Sequence, residues 1–108
     1  MEEHDVVRAL AALAQPVRLQ VFRALVVCGQ AGLTPGTMSE ALNIPANTLS
    51  FHLEELTHAG LVTQERASRN IIYRAAFVRM NALLGYLTEN CCQDADCGVD
   101  AVADSCKC

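Results

Sequence analysis

Apolar residues recur at helical spacing along most of this chain and alternate over one short stretch. Val6, Leu10 and Leu13 mark a first helix over about Glu3 to Leu13. Gln15-Pro16 breaks it, and Pro16 suits the first turn of a second helix. There Val17, Val21, Leu25 and Cys28 share one face, with Phe22 and Val26 beside them. Cys28 on that stripe reads as a buried structural thiol. Gly29-Gln-Ala-Gly32 ends the run. Thr37-x-x-Glu40 has the form of a capping box, which predicts a short helix over about Met38 to Leu42. After the tight break Asn43-Ile44-Pro45, a longer helix over about Ala46 to His58 carries Leu49, Leu53 and Leu56 inward, and Gly60 is placed to stop it in a left-handed conformation.

The pattern then shortens. Leu61 to Glu65 and Asn70 to Arg74 read as two strands of a hairpin around Ala67-Ser-Arg69. A last helix over about Val78 to Glu89 has Met80, Leu83, Leu84 and Leu87 facing one way, with Tyr86 nearby. A short helix, a tight turn and a longer helix make a helix-turn-helix, and the hairpin behind it makes a wing. The expected fold is α+β and mostly helical: a winged helix-turn-helix of five helices and a β-hairpin. Residues 1–90 are expected to form the DNA-binding and dimerisation domain, and residues 91–108 a flexible acidic, cysteine-rich, inducer-binding tail.

Composition adds three constraints. The chain has 108 residues, of which 52% are hydrophobic, so one small domain is expected and an oligomer interface would help to stabilise it. No apolar run approaches the ~20 residues that a membrane span needs. The start, Met-Glu-Glu-His-Asp, is acidic, unlike a secretion signal. A cytoplasmic protein with reduced thiols and no membrane partner is therefore expected. The net charge of −4 lies wholly in residues 89–108, where Glu89, Asp94, Asp96, Asp100 and Asp104 face only Lys107. The rest is balanced, and Arg66, Arg69, Arg74 and Arg79 against Glu65 make one locally basic stretch.

These features give a candidate surface for double-stranded DNA. The start of the second helix of a helix-turn-helix enters the major groove. Here Asn47, Thr48, Ser50 and Phe51 are expected to face outward there, with His52 partly so. Asn bonds adenine in two places, and Ser and Thr reach bases or phosphates. This helix has no arginine or lysine, so Arg66 and Arg69 in the hairpin are the expected phosphate contacts. An ordinary solvated helix and turn is the alternative. No nucleophile–base pair, phosphate loop or catalytic carboxylate pair is apparent, so an enzyme is not expected. His4, His52 and His58 share no metal-ligand spacing.

Ala12-Leu-Ala-Gln-Pro-Val-Arg-Leu-Gln-Val-Phe-Arg23 resembles the second-helix signature of the arsenical-repressor (ArsR-type) family of metal-sensing winged-helix proteins. Leu49-Ser-Phe-His-Leu-Glu-Glu-Leu-Thr-His-Ala-Gly-Leu-Val62 resembles that family's recognition helix and wing entry, and Arg69-x-x-x-Tyr73-Arg74 resembles its wing. The resemblance covers about residues 9–88. It implies a homodimer built on the first and last helices, bound to operator DNA without inducer and released with it. Asn47 and Ser50 match its DNA-contacting positions, whereas Ala46 and Phe51 depart from the polar residues often found there. Many members carry Cys-Val-Cys in the short helix before the recognition helix. Here that helix reads Thr37-Met-Ser-Glu-Ala-Leu42 and has no thiol.

Five of the six cysteines, Cys91, Cys92, Cys97, Cys106 and Cys108, stand in the tail. Cys91, Cys92 and Cys97 resemble the arsenite-binding tail of one subgroup of the family, which implies As(III) or Sb(III) as inducer and no cofactor for DNA binding. A neighbouring pair and a third thiol returned by a short loop suit the three-sulfur pyramid of trivalent arsenic. Soft thiolates select soft ions in any case. The acidic neighbours and the preceding helix C-terminus disfavour thiolate anions, which suits a neutral tris-thiolate adduct and speaks against a peroxide sensor. The alternatives are cadmium or zinc, with Cys106 and Cys108 as auxiliary ligands; a methylated arsenical on Cys91 and Cys92 alone; a thiol redox sensor; and a metal-buffering module.

Overall fold

The computed structural model describes residues 1–90. Its helices are α1 (Glu3–Leu13), α2 (Pro16–Cys28), α3 (Pro35–Leu42), α4 (Ala46–His58) and α5 (Phe77–Leu87). A 3-10 turn, Gly29–Ala31, follows α2, and strands β1 (Val62–Ala67) and β2 (Asn70–Ala75) lie between α4 and α5. This is the expected winged helix-turn-helix, five helices and one antiparallel hairpin in the register Val62↔Ala75 to Ala67↔Asn70. Among the described residues, no single helix is long and apolar enough to cross a membrane.

The core lies where α2, α3, α4 and the base of the hairpin meet. Val21, Leu25, Met38, Leu49, Leu53, Leu56, Leu61 and Val62 are fully buried there. Helix α4 ends as its sequence foretells. Gly60 takes φ +81°, its N–H donates to Thr57 O at 3.0 Å, and Leu61 N–H donates to Leu56 O at 3.1 Å. This paired closure satisfies carbonyls left open by the helix end. It turns the chain sharply from the recognition helix into the wing.

Four local expectations are corrected. Helix α3 starts at Pro35, not after Thr37, because Thr34 is its cap: Thr34 Oγ1 accepts from Thr37 N at 3.3 Å. Proline at the first position has no N–H to leave unpaired, so the earlier start is favourable. In α1 the buried side chains are Val6, Ala9 and Ala12, and Leu10 is exposed. The small alanines let α1 approach the core closely. In α5 only Leu83 is buried, while Leu84 and Leu87 are exposed. Cys28 is half-buried at the end of its stripe, and its thiol donates to Gly32 O at 2.9 Å.

The wing is joined to the body behind it. Leu33 pairs with Tyr73 through two backbone hydrogen bonds of 2.9 and 2.8 Å. Arg74 Nε donates to Gln30 O at 2.7 Å, and its Nη1 pairs with Glu65 Oε1 at 2.7 Å. On the opposite side, Arg79 of α5 reaches Asp5 of α1 at 3.7 Å and lies against Gly60 at the end of α4.

Candidate nucleic-acid interface

Leu49, Leu53 and Leu56 anchor α4 in the core, and this fixes which side chains the helix presents outward. Asn47, Thr48, Ser50 and Phe51 are all exposed, as expected. Asn47, Ser50 and Phe51 stand at i, i+3 and i+4, so they form one stripe along the helix. Thr48 N–H donates to Asn47 Oδ1 at 2.9 Å, which gives the amide a partner on its own helix.

His52 does not face outward as expected. Its side chain is buried, with the residue 7% exposed, and Nδ1 accepts a hydrogen bond from Arg18 Nε at 3.2 Å. That bond places the ring on the side of the helix that meets α2. Burial holds its pKa below the ordinary 6.5; the Arg18 charge lowers it further, and Glu55 partly opposes this. His52 is thus the neutral acceptor that positions Arg18. At the ordinary histidine value of 6.5 the unfolded chain binds more of a proton at this site than the folded ring does. Stability from this site is therefore present above that pH and falls as the pH drops towards the folded pKa. In urea unfolding, the wild-type midpoint is expected to drop between pH 7 and pH 5 by more than that of His52→Gln. An equal drop in both proteins refutes this role.

Arg18 has no counterpart among the residues that the sequence singles out for this surface. It lies on α2, yet its guanidinium carbon sits 5.6 Å from the centroid of the Phe51 ring. Its only sequence signal is membership of the Ala12-to-Arg23 stretch, and nothing in that stretch foretells a partner 34 positions away.

The four arginines of the basic stretch divide by role. Arg74 and Arg79 are engaged within the fold. Arg66 and Arg69 are exposed on the hairpin, and their side chains hold no hydrogen bond or ion pair among the described residues. Arg69 is in the two-residue turn, after Ser68 with φ +61°. The hairpin thus carries two open cations at its outer end. Between it and α4 lies a polar cleft lined by Ser50, Glu54, Thr57, His58, Gln64 and Tyr73.

Among the described residues, no three histidine, cysteine or carboxylate side chains gather as a metal site would require. Cys91, Cys92, Cys97, Cys106 and Cys108 lie outside the described residues.

Comparison with known proteins agrees with this geometry. Residues 13–65 match the family model of a helix-turn-helix domain. The chain is 37% identical over 67 residues to the HTH-type transcriptional repressor SmtB of Mycobacterium tuberculosis, a match over 62% of this chain and 47% of that protein. It therefore spans about half the length of that relative. The homodimeric winged helix-turn-helix DNA-binding domain of Mb0332 from Mycobacterium bovis, described as a possible ArsR-family regulator, superimposes with a TM-score of 0.64 at 28% identity, over 81% of each chain. An ArsR-like transcriptional regulator from Rhodococcus sp. RHA1 shares the fold with a TM-score of 0.72 at 22% identity, over 94% of this chain and 92% of that one. On its helix-turn-helix match, its likeness to a mycobacterial repressor and its winged architecture, this chain belongs to the ArsR-type winged-helix transcriptional regulators.

Proposed function

We propose that this protein is a homodimeric repressor that binds operator DNA and is released when trivalent arsenic or antimony is taken up by Cys91, Cys92 and Cys97. The observation that carries the DNA half of this reading is the polar stripe at the start of α4 beside two wing arginines that hold no ion pair among the described residues. Asn47, Thr48 and Ser50 supply base-edge and sugar-phosphate hydrogen bonds, and Arg66 and Arg69 supply phosphate contacts. His52 is not part of this contact set and acts through Arg18.

Dimerisation is supported by the exposed apolar side chains of α1 and α5: Val7, Leu10, Leu84, Tyr86 and Leu87. Apolar side chains of this size on two neighbouring helices mark a surface meant to be covered. A two-fold pairing there presents two recognition helices to a palindromic site, and the similar domain of Mb0332 is itself a homodimer. The inducer half is supported by the chemistry of the donor set. Three thiols among aspartates closely follow the end of α5, the helix that carries part of the apolar surface. A neutral tris-thiolate adduct suits this acidic setting better than an anionic one.

The test is an operator-binding titration with arsenite, antimonite, cadmium, zinc and peroxide in parallel. Arsenite is expected to lower wild-type affinity by roughly 5- to 150-fold, the range of ordinary allosteric coupling. Cys97→Ser, and a chain ending at Glu89, are expected to bind the operator as tightly as wild type and to lose the response. A truncated chain that still responds refutes the tail as sensor. Release by cadmium or zinc but not arsenite replaces the metalloid with a divalent ion.

A further inference from the structure

We infer that Phe51 is a specificity-determining residue that reads a thymine methyl group in the major groove; this rests on the DNA-binding reading above. Phe51 is 54% exposed on a helix whose other large apolar side chains, Leu49, Leu53 and Leu56, are buried. It shares a stripe with Asn47 and Ser50, one turn further along, so it enters the groove with them.

The ring is held for this task. The Arg18 guanidinium lies 5.6 Å from its centroid, and the His52 ring packs edge-on, with centroids 5.5 Å apart and planes at 62°. His52 in turn fixes Arg18 by the 3.2 Å hydrogen bond to Nδ1. A surplus surface phenylalanine has no need of a buried histidine and a half-buried arginine to orient it. Fixing the ring before binding reduces the conformational entropy lost when it docks. Its chemistry then selects the target. An uncharged aromatic ring offers neither donor nor acceptor to a base edge. The apolar feature of the major groove is the C5-methyl of thymine, against which phenylalanine packs. Asn47, one turn earlier, suits adenine, so the stripe as a whole favours an A·T-rich half-site.

The experiment uses the full chain and a duplex recovered by selection from random DNA. Each thymine of one half-site is replaced in turn by deoxyuridine, which removes only the methyl group. With wild-type protein, one position is expected to lose roughly fourfold in affinity, the worth of one buried methyl group. With Phe51→Ala, the thymine and uracil duplexes are expected to bind equally, both weaker than the wild-type complex. Phe51→Leu, which keeps an apolar side chain, is expected to retain part of the discrimination. The inference is overturned if no deoxyuridine position weakens wild-type binding, or if the sensitive position stays equally sensitive in Phe51→Ala. Failure of the wild-type chain to select any DNA sequence overturns the DNA-binding reading itself, a different result from selection without methyl dependence.

Discussion

Leu84→Glu is expected to leave the fold intact, abolish the dimer and weaken operator binding by roughly 100-fold or more. Leu84 is 52% exposed, so a charge there removes little packing within one chain, and surface changes of this kind usually alter stability by only about 0.5 kcal/mol. In the dimer proposed above, the same position would be desolvated against its symmetry mate. A two-fold axis then places the two introduced carboxylates in one interface, each without a cation. Operator affinity depends on both recognition helices engaging together. Linking two sites typically gains about 10²- to 10⁴-fold over one alone, and the monomer forfeits this gain. Light scattering coupled to size exclusion measures the mass, and a titration with the selected duplex measures affinity. A Leu84→Glu chain that remains dimeric at micromolar concentration removes α5 from the interface.

Gly32→Ala is expected to destabilise the domain by about 3 kcal/mol, combining backbone strain with overpacking. Gly32 has φ +72° and ψ 178°, a region of backbone space that only glycine enters freely. An added Cβ would stand 2.5 Å from Ile72 Cγ2 and 2.8 Å from Tyr73 O. The second contact is with backbone and has no rotamer by which to escape. The next residue, Leu33, makes the two hydrogen bonds that join the body to β2, so the strain falls on the connection to the wing. Gly36→Ala is the matched control. Gly36 lies in α3 with open space where its Cβ would be, and replacing it is expected to stabilise by roughly 0.5–1 kcal/mol. Urea denaturation of both variants gives the two signs. Equal shifts would show that the close approach at Gly32 relaxes without cost.

The helix-turn-helix and wing were legible because their signals are local. The spacing of Leu49, Leu53 and Leu56 and the stop at Gly60 all lie within fifteen residues, and the structure places each as read. What periodicity could not divide was the apolar surface itself. Leu10 and Leu84 are as hydrophobic as core residues, yet they are exposed while Ala9, Ala12 and Leu83 are buried. A face that awaits a partner and a face that meets the core obey the same pattern. Charge counting failed similarly at Arg74 and Arg79, since composition does not reveal that Gln30, Glu65 and Asp5 engage them. His52 was misplaced because a polar residue type suggests the surface. The arginine that satisfies it comes from another helix, and only the fold brings the two together.

The engagement of Arg74 and Arg79 bears on how the protein would travel. Sequence-independent attachment to duplex DNA grows with the number of phosphates neutralised, and so does its sensitivity to salt. With two arginines on the wing that hold no ion pair among the described residues and a net charge of −4 per chain, random DNA is expected to offer this protein little hold. Long one-dimensional sliding along the chromosome requires such a hold. A dimer that binds as proposed is expected instead to reach its site by repeated short encounters from solution, with its residence there set by the bases it reads.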